Sequence, residues 1–233
     1  MNRNKAVLLI TMVLFLSIGG CMADQNSKQL WQVLEDMQYS SYAPRLRFLT
    51  KKYGDIFEMD VYGQITSTLP EYQGLSFDVE FNTETLQYEE NFLVQYRREE
   101  IEAFLQEKIS PVIGNCKIYV GGTRSSLPKD AEIEDIVENE KFIVKPVICI
   151  PFSDDYQSHA FELIEELSNQ GYMFSTIEIL FFDSTQYDKV GRDWVIPRLR
   201  GAGSSVGDEE YVFNYRLAVW FNFSSGEYVM NWR

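Results

Sequence analysis

An α+β protein, with antiparallel sheets each covered on one face by helices, is what three features of this 233-residue sequence predict. Stretches of period-two apolar alternation take turns with stretches of helical period along the chain. Phe and Tyr dominate an aromatic content of 15%, which suits pleated, half-buried strands. The order of helix followed by strands runs through twice, so two similar halves are expected, 27–120 and 142–233, joined by a polar linker at 121–141.

In the first half, Asn26 and Gln29 form a capping box that opens a helix. Leu30, Leu34 and Met37, with Val33 beside them, place an apolar stripe along it. Pro44 interrupts that pattern, because proline disfavours helix at the residue before it, and starts a second helical stretch carrying Leu46 and Leu49. Lys51 and Lys52 complement the negative end of the helix dipole, and Gly54 suits the position just past it. Two strands follow. Phe57, Met59 and Val61 alternate with Glu58, Asp60 and Tyr62; Leu75, Phe77, Val79 and Phe81 alternate with Ser76, Asp78, Glu80 and Asn82. Each has one buried and one solvated face. A helix is expected over about 91–109, with Leu93, Ile101, Phe104, Leu105 and Ile109 inward; Pro111 and Gly114 end it, and 117–120 is a short strand. Within the linker, Ile133, Ile136 and Val137 make a weak helical stripe.

In the second half, 142–150 reads as a strand that Pro146 pushes toward an edge or a bulge. Asp154 or Asp155 caps a helix bearing Phe161, Ile164 and Leu167, which Gly171 closes. A strand at 174–182 puts Ile177, Ile179 and Phe181 on one side, and 193–199 can form another. At the end, Tyr211, Phe213, Tyr215, Leu217, Val219, Phe221 and Phe223 share one face of a long strand. A turn at 224–227 pairs Phe223 with Tyr228, Phe221 with Met230 and Val219 with Trp232, all six on the apolar face. Trp220 and Asn222 project to the opposite side, a face able to take a sugar; strand aromatics serve more often as packing, and no site is assigned there.

Arg3 and Lys5 precede an uncharged, mostly apolar run from Ala6 to Ile18. A basic start, a short apolar core and small residues mark an export signal, and the run is shorter than the roughly 17–25 residues of a spanning helix. Ile18-Gly19-Gly20-Cys21 resembles the lipobox of bacterial lipoproteins. That resemblance implies a signal peptide at 1–20, cleavage after Gly20, a diacylglyceryl group on Cys21 and a short tether at 21–26. The protein is then expected on the extracytoplasmic face of the cell membrane, held by two acyl chains that each contribute about 0.8 kcal/mol per buried methylene.

Removing residues 1–20 takes away Arg3 and Lys5 and leaves 19 basic against 35 acidic residues, a net charge of −16. Such a chain is a poor partner for nucleic acid, where Lys and Arg supply most of the non-specific affinity. It is also repelled by anionic lipid, so the domain is expected to stand off the surface. His159 is the only histidine, just outside the apolar stripe of its helix; no triad can be assembled around it, and no C-x-x-C pair suggests zinc. No cofactor is expected. Residues 201–207, Gly-Ala-Gly-Ser-Ser-Val-Gly, lack the Gly-Lys-Ser/Thr ending of a phosphate loop and lead into Asp208-Glu209-Glu210, so they read as a loop. Asp183, Asp188 and Asp193 lack the ligand pattern of an EF-hand. Glu58, Asp60, Asp78 and Glu80 would crowd one solvated face if their strands paired, as a weak cation site or simply a hydrated acidic surface. Cys116 and Cys149 read equally as a disulfide or as two buried thiols.

The run Lys52-Tyr53-Gly54-Asp55-Ile56-Phe57 resembles the helix-ending KYG-x-x-F phrase of small envelope lipoproteins of Gram-positive bacteria, and 91–120 is similar in a looser way. The resemblance implies an envelope location and an α+β domain, and carries over no catalytic residue. The expected function is a non-enzymatic binding protein of the cell envelope, anchored through Cys21, with an envelope protein as possible partner. The alternatives are a carboxylate-based hydrolase of wall polymer or peptide, and a small-solute receptor for a transporter.

Overall fold

The computed structural model describes residues 42–138, 142–172, 174–192, 195, 215–222, 225 and 227–232. The signal and tether with Cys21, the Leu30–Met37 stripe, the strand at 193–199 but for Val195, the loop at 201–207, and Tyr211, Phe213 and Phe223 lie outside the described residues.

The fold is α+β. The first region opens with helical residues 42–53 (α1), whose Leu49 and Tyr53 are buried. Gly54, at φ +103°, donates its N–H to Thr50 O at 2.9 Å and stops the helix as its sequence implies. Three short strands form an antiparallel sheet in the order β1 (Phe57–Met59), β2 (Ile65–Ser67), β3 (Ser76–Phe77), and β4 (Val79–Asn82) with β5 (Gln87–Glu90) form a separate hairpin. The 75–82 stretch is therefore two strands broken at Asp78, where the backbone N–H turns to Asn91 Oδ1 at 2.9 Å instead of a neighbouring strand. The helix expected from 91 is likewise two, α2 (Leu93–Tyr96) and α3 (Arg98–Ile113). Pro111 sits within the last turn of α3 and Gly114, at φ +75°, closes it.

The larger region is a five-stranded sheet. Its strands are β6 (Lys117–Gly122), β7 (Val144–Pro151), β8 (Thr176–Phe182), β9 (Tyr215–Asn222) and β10 (Glu227–Trp232), in the spatial order β10-β9-β8-β7-β6. Helix α4 (Ile133–Val137) precedes β7, α5 (Tyr156–Asn169) joins β7 to β8, and α6 (Ser184–Tyr187) follows β8.

Three expectations are corrected. The sheet is mixed, because β7 and β8 run parallel while its other pairs are antiparallel. Parallel neighbours require a crossover, and α5 supplies it. The two stretches are not copies of one pattern either: β6, assigned to the first half, is an edge strand of the sheet that the second half completes. Finally, β7 is an inner strand despite Pro146. Its pairing with β8 starts at Val147, so the proline lies in an overhang beside β6 alone and takes no donor from the parallel ladder.

The C-terminal hairpin keeps its apolar face with a shifted register. Tyr228 pairs with Phe221, Met230 with Val219 and Trp232 with Leu217. Asn222 pairs with Glu227, and because the partners change by two positions from those expected no side chain switches face.

One face of the large sheet, with Ile118, Val120, Ile148, Ile150, Ile177, Ile179, Leu217 and Val219, meets the buried residues of α3 and α5 in the main core. The opposite face is covered over one end. There Val147, Cys149, Leu180 and Phe182 pack with Tyr187, Val190 and Val195. Lys117 Nζ fastens this cover by donating to the carbonyls of Tyr187, Asp188 and Val190 at 2.7, 3.1 and 3.0 Å. Helices thus cover most of one face and part of the other. Cys116 belongs to the first core and Cys149 to the second, so the sheet separates them and both are buried thiols.

Candidate functional site

The uncovered end of that second face is the floor of a cleft of ≈510 Å³. Strand alternation decides its lining. Along β7, β8 and β9 the residues on this face change from Cys149, Leu180 and Phe182, beneath α6, to Lys145, Thr176, Glu178, Arg216, Ala218 and Trp220 at the open end. The small aromatic-rich region forms the other wall, with Leu75 to Asp78 around β3, Asn91, and Gln95 on α2. The cleft therefore lies between the two regions, a common position for ligand sites.

Its electrostatics are balanced. Arg216 Nε and Glu178 Oε1 are 2.8 Å apart in a mostly buried ion pair, with side chains 29% and 17% exposed. Lys145 adds a second cation and Asp78 a second carboxylate, one from each wall. Asn91 Oδ1 accepts from Asp78 N, which leaves the amide NH2 as its remaining polar function. Trp220, 38% exposed, lies across from Thr176 in the β8–β9 ladder. This set can hold a polar ligand by hydrogen bonds and one aromatic surface.

A second cluster is buried and structural. Glu90 is fully buried at the end of β5, where Oε1 accepts Lys52 Nζ and Tyr53 Oη, each at 2.6 Å. Oε2 accepts the backbone N–H groups of Phe92 and Leu93, the latter at 3.0 Å. Lys52 Nζ also donates to Leu127 O at 2.5 Å, and Glu90 exchanges backbone hydrogen bonds with Ser125. Burial first, and then the Glu90 charge, push the Tyr53 phenol far above its ordinary value. Every lone-pair direction of the carboxylate is thus occupied by protein, and the cluster clasps α1, β5 and the 125–127 loop together.

The four acids expected on one strand face are not brought together. β1 pairs with β2 and β4 with β5, so Glu58 and Asp60 never lie opposite Asp78 and Glu80. Asp60 caps its own turn by accepting Tyr62 N and Gln64 N, and Glu80 is ion-paired with Arg124. Among the described residues no group of three or more His, Cys, Asp and Glu gathers as a metal site. Asp183 caps α6, accepting from Thr185 and Gln186; the Thr185 hydroxyl, ahead of the backbone donors, holds its carboxyl below the usual range. Asp188 follows that helix, and Asp193 is outside the described residues. His159 is half-buried on α5, its Nδ1 3.4 Å from Ser153 Oγ, at the long edge of hydrogen bonding.

Of the cleft residues, sequence reasoning singled out Trp220 as facing away from the core, and Asp78 only as part of the acidic face. The missed signal was the placing of Lys145, Glu178 and Arg216 inside otherwise apolar strands. Charged residues rarely interrupt inner strands unless they are paired or line a cavity. No protein-family model, no curated protein and no solved structure matches this chain.

Proposed function

We propose that the chain is a lipid-anchored binding protein of the cell envelope, held at the extracytoplasmic membrane face through Cys21, with the cleft between its two regions as ligand site. The cleft is the observation that carries this reading: it is concave, within the size range of about 300–1,000 Å³ usual for small-molecule sites, and mixes one exposed indole with convergent polar groups. The lipobox at Ile18–Cys21 supports the anchor.

A second reading has one observation in its favour. Asp78 and Glu178 enter the cleft from its two walls, as the paired carboxylates of a glycoside hydrolase do. Glu178 is committed to Arg216, however, which makes the pair better suited to holding a ligand than to cleaving it.

The test is crosslinking and capture from the native envelope with the full-length protein, a Cys21→Ala variant, and a Trp220→Ala variant that alters the cleft. Intact-mass analysis of the membrane fraction should show a diacylglyceryl group and loss of residues 1–20, both absent from Cys21→Ala. Envelope material should be captured by the anchored parent and lost with Trp220→Ala. Capture indifferent to Trp220 removes the cleft from the function, and release of cleaved polymer turns the reading to the hydrolase.

A further inference from the structure

The chemistry of the cleft narrows its ligand, on the reading that the cleft is the ligand site. We infer that it binds a neutral saccharide, with an N-acetylated hexosamine unit seated against Trp220 and hydrogen-bonded to Asn91 and Gln95.

Charge supplies the first argument. Lys145 and Arg216 are matched by Asp78 and Glu178, so the lining carries no net charge within a chain of net charge −14. A polyanion is repelled by the surrounding acid, and a polycation is drawn to the acidic surface at large rather than to this cleft. With the lining neutral as a whole, stacking and hydrogen bonds are the source of selective affinity on this proposal. Trp220 offers an indole that reaches solvent within the cleft, a rigid surface for the C–H face of a pyranose ring. Thr176 beside it brings a hydroxyl, and Gly121 and Ala218 add no bulk to the floor. From the facing wall, Gln95 presents an amide and Asn91 the donor end of one, groups that match hydroxyls and an acetamido function. Glu178 and Arg216, paired with one another, border the site without changing its charge.

The experiment uses the full-length chain in a detergent that has no sugar headgroup. It is titrated with tri-N-acetylchitotriose and followed by tryptophan fluorescence and calorimetry. Saturable binding is expected, weakened about tenfold in Trp220→Ala and largely restored in Trp220→Phe. Gln95→Ala should weaken it about three- to tenfold, the loss of one or two neutral hydrogen bonds. Circular dichroism and melting curves check folding; should Trp220→Ala fail to fold, Trp220→Phe and Gln95→Ala carry the comparison. The proposal is overturned by absence of saturation at about 10 mM, an affinity too weak for a built site. It is also overturned by tighter binding of a sulfated oligosaccharide, or by full affinity in Trp220→Ala. Envelope capture that depends on Trp220 without saccharide binding removes this inference and leaves the binding-protein reading standing; loss of both removes both.

Discussion

Around Phe92 the interior is built from rings, whereas beneath the five-stranded sheet it is built mainly from branched aliphatic side chains, with rings such as Phe174 and Phe181 in the minority. Tyr53, Phe57, Tyr72 and Phe77 surround Phe92 with centroid distances of 4.7–4.9 Å, all edge-to-face. In the main core, Val120, Ile148, Ile177, Ile179, Leu217 and Val219 form rows across neighbouring strands. Strand length accounts for the difference. The strands of the small region have two to four residues, so few inward positions must fill the volume and each takes a large ring. The strands of the large sheet have six to eight, and β-branched residues pack well side by side on such a surface. The chain passes from one core to the other within a single step, because Phe92 belongs to the aromatic cluster and Leu93 to the aliphatic one. Glu90 anchors that crossing point.

The comparison is broken most directly at its centre. Phe92→Ala should cost about 3–5 kcal/mol in urea denaturation, against about 0.5–1.5 kcal/mol for Ile179→Val, a single methyl from an interior shared by many neighbours. Similar losses for the two would mean that the aromatic region does not depend on its central ring. Glu90→Ala leaves the Lys52 ammonium, the Tyr53 hydroxyl and two backbone N–H groups without their shared acceptor, and should also cost about 3–5 kcal/mol. Hydrogen exchange should show faster opening of α1 than of β7 and β8 in that variant; uniform protection would remove the clasp from the account.

Gly122→Ala probes the seam. A Cβ there would stand 2.6 Å from Val94 Cβ and Cγ2, so α2 must retreat from β6 at about 1–3 kcal/mol. An unchanged melting temperature would show that the seam is looser than the structure has it. The smallest effect concerns pH. Burial, the largest cause, pushes the Tyr119 phenol from 10.0 up to about 12, and burial likewise raises Tyr53 and Tyr228. In the unfolded chain these phenols ionise near 10, so the stability they contribute is intact below about pH 10 and is lost as pH rises toward 12. The urea midpoint should fall over that window, less steeply in Tyr119→Phe. A midpoint flat to pH 11.5 in the parent would contradict the burial of these rings.

Much of the local structure was legible in the sequence. The stop at Gly54, the helix with Ile164 and Leu167 buried, although Phe161 of the same expected stripe is exposed, and the apolar face of the C-terminal hairpin follow from periodicity and from termination chemistry within one turn. The parallel β7–β8 pair was also written there, as a strand, a helix and a strand in succession, and Val147 to Ile150 is the unbroken apolar run of a strand buried on both faces. Reading each strand alone hid it. Glu90 was illegible for another reason: its partners Lys52 and Tyr53 lie 38 and 37 residues away, and nothing adjacent marks this glutamate from its neighbour Glu89. The cleft residues were visible as charges in apolar strands, but not as companions.

By itself the sequence determined the longer helices and strands and which side of each turns inward, because backbone sterics and side-chain period act over a few residues; the short strands at 65–67 and 87–90 and the breaks at Asp78 and Arg97 escaped it, being too short to show a period. Tertiary structure alone decided the order of the sheet, the register of its last hairpin and the meeting of Asp78, Lys145, Glu178, Arg216 and Trp220 in one cleft. Those outcomes depend on contacts between residues far apart in the chain, where burial of whole faces selects among pairings that local preference leaves equal.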